Sequence, residues 1–181
     1  MPDCDRRGGT MTQMIGASGG DGVKPTGGEE LASPDAVWLG LESDSAHALL
    51  SDMSQRLLDA GYVRPGYSES LWRREERYPT GLPVSGGVAI PHTEPELVRR
   101  GVVAIASLAR PVAFEEMGGS GTVPVSVVFL LGLDRAEGHV DLLQRLIKAI
   151  QKKGIVEEIR SADDPEDVAV RVNVLLRSPG A

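Results

Sequence analysis

Three histidines and a short run of arginines carry most of the chemistry open to this chain. His92 closes a short apolar run in "YPTGLPVSGGVAIPHTEPE", Tyr78 to Glu96. Pro91 restricts Ile90 to extended backbone and fixes the chain just ahead of the imidazole. Gly81, Gly86 and Gly87 let the backbone pass close to a ligand or partner. Neutral imidazole is a nucleophile near neutral pH, because its reference pKa is about 6.5. It can attack phosphorus and become a phosphohistidine, a covalent intermediate. Phosphoryl transfer asks for alignment and for hydrogen-bond donors around the equatorial oxygens. The segment "WRREER" supplies Arg73, Arg74 and Arg77 shortly before His92, and one arginine donates two hydrogen bonds at once. By themselves these residues leave a second reading open, in which His92 is a turn histidine with no chemical role.

The other two histidines differ in their surroundings. His139 lies three, four and seven residues before Leu142, Leu143 and Leu146, which puts it on the apolar face of a helix. It also lies near the start of that helix, just after a strand. There the partial positive charge and unpaired N–H groups of the helix end favour an anion such as phosphate. A core histidine satisfied by a carbonyl fits the local pattern equally well. His47 falls one residue off an apolar stripe and reads as a solvated side chain at a helix edge.

Other chemistries find less support. Three scattered histidines and Cys4 offer no metal-ligand spacing, so no metal and no cofactor is expected. Ser85 stands in no Gly-x-Ser-x-Gly elbow, and no phosphate-binding loop of the Gly-x-x-x-x-Gly-Lys-Ser/Thr type is present. Glu94 and Glu96, two apart in a loop, are a weak sign of an acid–base pair.

The elements that must position these groups are legible from hydrophobic periodicity. Ala36 to Leu41 reads as a strand. A helix follows, with Ala46, Leu49, Leu50, Met53 and Leu57 at helical spacing, Ser43 or Asp44 as N-cap and Gly61 as stop. "GYSESLWRREERY" reads as a second helix ending before Pro79. "GVAI" and "GVVAIASLA" read as strands. "VPVSVVFLLGL", Val123 to Leu133, is the most apolar run and suits a strand buried on both faces. If the strand before His92 runs parallel to it, both lead to the same sheet edge, where ligands of open α/β sheets gather. Asp134 and Glu137 form a capping-box pattern ahead of a helix carrying Leu142, Leu143, Leu146, Ile147 and Ile150. Helices around "IVEEIR" and "PEDVAVRVNVLL" complete the chain. Strands mixed with helices imply an α/β fold with helices on both faces of a sheet, in a single domain.

Bulk composition narrows the function classes. The chain has 181 residues, 41% of them hydrophobic but only 4% aromatic, so Leu, Val, Ile and Ala must fill its core. A formal net charge of -7 argues against nucleic-acid binding, which needs a basic patch. No apolar run is long enough to span a bilayer, and the first twenty residues carry no continuous apolar stretch of the signal-peptide kind. Residues 1–34 are rich in Gly, Ser, Thr and Asp and read as a flexible tail. Residues 35–178 read as the domain.

The segment "RREERYPTGL…GGVAIPHTEPE" resembles the signature of the IIA components of the bacterial phosphoenolpyruvate-dependent sugar phosphotransferase system, of the fructose/mannitol type. Arg74, Glu75, Pro79, Thr80, Gly81, Pro91 and His92 match in order, and the resemblance runs from about Trp38 to Leu176. It implies a mixed β-sheet flanked by helices and a cytoplasmic phosphotransferase component. Such a component accepts a phosphoryl group from phospho-HPr and passes it to a IIB component, which serves a IIC membrane component. On this resemblance His92 is the phosphorylated nucleophile, through Nε2. Arg74 is the assisting arginine and His139 the second histidine of mannitol-type members. The continuation His92-Thr93-Glu94 looks more like the galactitol-type group than the fructose-type. Leu82, Val84 and Leu97 are candidates for an apolar rim around the site. A related branch of the family signals by binding other proteins instead of feeding a transporter.

Overall fold

The structure is a computed structural model that describes residues 30–134 and 139–177, with the side chain of His139 outside the description. Five strands form one mixed sheet: β1 (Val37–Leu41), β2 (Gly81–Leu82), β3 (Val88–Ala89), β4 (Val102–Glu115) and β5 (Thr122–Gly132). Their spatial order is β1-β4-β5-β3-β2. The β1–β4 and β3–β5 pairs are parallel, whereas β4–β5 and β2–β3 are antiparallel. The helices are α1 (Ala46–Asp59), α2 (Tyr67–Arg77), α3 (His139–Ile150), α4 (Ile155–Arg160) and α5 (Pro165–Arg177).

Strand alternation divides the interior into two cores. Along β4, Ala104 and Ala106 face one side with Leu49, Leu50, Met53 and Leu57 of α1 and Tyr67 and Leu71 of α2. The intervening Val103 and Ile105 face the other side with Leu146 and Ile150 of α3, Ile159 of α4 and Val172 and Leu176 of α5. β5 divides in the same way, with Val128 and Leu130 on one face and Val127, Phe129 and Leu131 on the other. This two-residue period is intrinsic to a strand, and burial on both faces explains why β5 reads as a continuous apolar run.

Several details depart from the sequence expectation. The N-cap of α1 is Ser45, whose extended backbone turns its Oγ to accept from the Ala48 N–H at 3.1 Å. Ser43 instead donates its hydroxyl to the Ser45 carbonyl. β4 continues past Ala109 to Glu115 because its register with β5 shifts between Ser107 and Val112. The exposed Pro111 falls in that irregular stretch, where no ladder N–H is needed. β2 is only two residues long and left no periodic signal. Glu137 of the expected capping box lies outside the described residues, as do residues 1–29.

The described residues just ahead of the expected domain start at residue 35 are anchored to the fold. Ala32 is buried, and the side chain of buried Asn173 accepts from the N–H groups of Leu31 and Ala32 and donates to the Ala32 carbonyl. The Leu31 carbonyl accepts from the Val103 N–H. The segment before β1 is thereby tied to both α5 and β4.

Candidate functional site

The residues that match the motif converge where α2 ends and β3 leaves the sheet. The spacing Ser70, Arg74 is one helical turn, so both side chains leave α2 on the same face. α2 stops at Tyr78, because Pro79 cannot continue it. β3 runs parallel to β5, and the chain stays beside β5 beyond β3. The Pro91 carbonyl accepts from the Leu131 N–H at 2.9 Å, and His92 bridges to Leu131. Since β5 ends at Gly132, His92 stands at the carboxyl edge of the sheet, the edge expected from a parallel pairing.

The imidazole of His92 is half-buried. Its Nδ1 lies 3.0 Å from the carbonyl oxygen of Ile90. A carbonyl can only accept, so Nδ1 carries the proton in this contact and the in-plane lone pair of neutral imidazole falls on Nε2. Nη2 of Arg74 lies 3.2 Å from Nε2 and donates to it. Nη1 of the same guanidinium donates to Glu94 at 3.1 Å. Arg74 therefore borders the ring nitrogen that holds the lone pair, and its paired N–H groups suit an anion there. Of its neighbours, Arg73 is exposed, and Arg77 lies over the ring of Tyr78 at 5.3 Å.

The loop is braced from behind. Thr93 is buried and shares a 2.7 Å hydrogen bond with Ser70. Glu75 is buried beside Arg74, and its carboxylate accepts from the N–H and the hydroxyl of Thr80. Loss of water holds its carboxyl above the ordinary value, while both bonds from Thr80 oppose that rise and nearby Glu115 adds to it. Thr93, Ser70 and the Ile90 carbonyl are site groups that sequence reasoning missed, and Glu94, read there as half of a weak acid–base pair, instead pairs with Arg74. Only the Arg74-Glu75 adjacency gave a usable signal, because the other contacts depend on how helix and loop meet.

Other expectations fall elsewhere. His139 begins α3, which follows β5, and its side chain lies outside the described residues. His47 is exposed and meets Trp72 edge-on at 4.7 Å. Leu82 and Val84 do not form a rim for His92. β2 runs antiparallel to β3, with Leu82 opposite Val88, so the chain from Leu82 to Val84 heads toward the other end of the sheet. Leu97 packs partly into the core on the α1–α2 side. The glycines admit neighbouring backbone: a Cβ on Gly87 would stand 2.0 Å from the Pro124 carbonyl oxygen, and one on Gly81 2.6 Å from that of Glu115.

Comparison with known proteins bears on what this arrangement is for. The family model "Phosphoenolpyruvate-dependent sugar phosphotransferase system, EIIA 2" matches residues 30–173. Multiphosphoryl transfer protein 1 of Escherichia coli is 33% identical over 101 residues, covering 55% of this chain and 12% of that protein. The nitrogen regulatory protein of Bradyrhizobium diazoefficiens is 28% identical over 142 residues, covering 77% of this chain and 90% of that protein. Among solved structures, the complex of enzyme IIAMTL and phosphorylated enzyme IIBMTL from Escherichia coli aligns with a TM-score of 0.61 and 20% identity. That alignment covers 78% of this chain and 94% of the other.

Proposed function

Since the chain belongs to the EIIA 2 family of the phosphoenolpyruvate-dependent sugar phosphotransferase system, we propose that it is a phosphocarrier with His92 as its phosphorylated residue. The Nε2 lone pair attacks the phosphorus of phospho-HPr. An Nε2–P bond forms, the donor's N–P bond breaks, and its electron pair returns to the donor imidazole. Nδ1 keeps its proton throughout, and the Ile90 carbonyl steadies the positive charge that grows on the ring. Arg74 lowers the barrier by holding the equatorial oxygens as they pass. The phosphoryl group then leaves for a IIB component, which serves a IIC membrane component, in the cytoplasm. The observation that carries this reading is the pair of contacts on one half-buried ring, Nδ1 to the Ile90 carbonyl and Nε2 to Arg74.

His139 is assigned as a second imidazole at the site, on its position at the head of the helix after β5. The sequence Pro91-His92-Thr93-Glu94 supports a galactitol-like system, with a fructose-like one as the alternative. Residues 35–178 are taken as the phosphotransferase domain and residues 1–34 as its tail, the end of which docks on α5 and β4 at Leu31 and Ala32. No described helix is long and apolar enough to cross a membrane.

Incubation with phosphoenolpyruvate, enzyme I and HPr tests the assignment. Mass spectrometry should find an acid-labile phosphate on the peptide around His92, and His92→Ala should abolish it. Label retained at full stoichiometry in that variant would remove the nucleophile.

A second reading has its own support. The match to the nitrogen regulatory protein spans 90% of that relative, whereas the match to the multiphosphoryl transfer protein spans 12%. In this reading the same phosphohistidine sets which proteins the domain binds. Deleting the gene separates the two: loss of growth on one sugar supports transport, and unchanged growth on every transported sugar supports regulation.

A further inference from the structure

Glu75 is the only buried carboxylate among the described residues, and the transfer step above does not use it. Burying an ionisable group is costly, and an apolar side chain could fill the space. Its contacts suggest what it does instead. Glu75 Oε1 accepts from the Thr80 N–H at 2.9 Å, and Oε2 accepts from the Thr80 hydroxyl at 2.8 Å. The Thr80 carbonyl accepts from the Ile90 N–H at 3.3 Å. The Ile90 carbonyl accepts from Nδ1 of His92 at 3.0 Å. These hydrogen bonds, linked through the main chain of Thr80 and of Ile90, connect the carboxylate to the imidazole, and the Leu131–Pro91 bond pins the far side of the same segment.

This matters because the Ile90 carbonyl at Nδ1, together with the Arg74 donor at Nε2, decides which ring nitrogen is nucleophilic. An unconstrained neutral imidazole favours the Nε2–H tautomer, which leaves the lone pair on Nδ1. We propose that Glu75 is a positioning residue for phosphoryl acceptance: by holding Thr80, and through it the Ile90 main chain, it keeps the proton of His92 on Nδ1 and the lone pair on Nε2. Its effect on rate rests on the phosphocarrier reading, whereas its effect on the tautomer does not.

The test uses the full chain and two measurements. Nitrogen-15 NMR of the His92 ring, assigned by the signal lost in His92→Ala, reports the tautomer. Single-turnover transfer from phospho-HPr reports the rate. Glu75→Ala should shift His92 toward the Nε2–H form and slow transfer on the order of 10- to 100-fold, the scale of a misplaced reacting group. Glu75→Gln, which can bond Thr80 at both atoms with the hydroxyl reversed, should recover part of both losses. A folded Glu75→Ala protein with the wild-type tautomer overturns the proposal, whatever its rate. If circular dichroism shows that Glu75→Ala does not fold, Glu75→Leu, which fills the space and removes both acceptors of Thr80, carries the test, and a wild-type tautomer there overturns the proposal equally. Failure of the wild-type protein to accept phosphate would defeat the phosphocarrier reading, leaving the tautomer measurement to decide the role of Glu75.

Discussion

Ser70 and Thr93 meet through a 2.7 Å hydrogen bond between their hydroxyls, one helical turn from the contact between Arg74 and His92. Helix α2 therefore grips the loop at two adjacent residues, one link at Thr93 and one at His92, the proposed nucleophile. Thr93 is buried, whereas the neighbouring His92 is only half-buried.

Thr93→Val keeps the shape of the side chain and removes the brace. It should cost about 1 kcal/mol of stability, the net worth of an ordinary hydrogen bond, and should slow phosphoryl acceptance as Arg74 and His92 drift apart. Urea unfolding and single-turnover transfer check the two effects. A stability loss with an unchanged rate would show that the brace does not position the site.

Arg74→Ala should slow transfer on the order of 10²- to 10³-fold, the loss seen when one donor to a developing charge is removed. Stability should change by less than about 1 kcal/mol, because the ion pair with Glu94 is largely exposed. Arg74→Lys should fall between the two, keeping the charge without the paired donors. Unfolding of the Ala variant, with no separate effect on transfer, would make Arg74 structural.

Glu75 gives stability a pH dependence of known sign. Burial raises its carboxyl in the folded state above the ordinary 4.5, so the folded chain binds this proton more tightly than the unfolded one. The associated stability is fully present below pH 4.5 and is lost as pH rises through the folded value. The stability of wild type relative to Glu75→Gln should therefore fall from below pH 4.5 toward neutrality. Urea unfolding of both proteins across that range measures it, and a constant difference would refute it.

Asn173→Ala should destabilise by about 1–3 kcal/mol, because it strands backbone groups of Leu31 and Ala32. Phosphoryl acceptance should be little affected under conditions where the variant is folded. The urea midpoint and the transfer rate, measured together, test whether this anchor is separate from the site.

What the linear chain showed depends on the range of each interaction. α1 and α3 were readable because their apolar residues recur at helical spacing, and β5 because both its faces are buried. β2 was missed because two residues carry no period, and the end of β4 because Pro111 argues against a strand unless a register shift accommodates it. The rim assigned to Leu82 and Val84 failed for a related reason: nearness in sequence to His92 does not reveal that a hairpin carries those residues away.

By itself the sequence established the helices, the main strands, the motif joining Arg74, Glu75, Thr80 and His92, and the family it resembles. These rest on short-range periodicity and on the order of residue types. Only the tertiary structure decided that Nδ1 of His92 faces a carbonyl, that Arg74 reaches Nε2, and that Ser70 and Thr93 tie helix to loop. Those relations are set where α2 packs against the end of β3 beside β5. A contact between segments about twenty residues apart depends on that packing geometry, which no local pattern encodes.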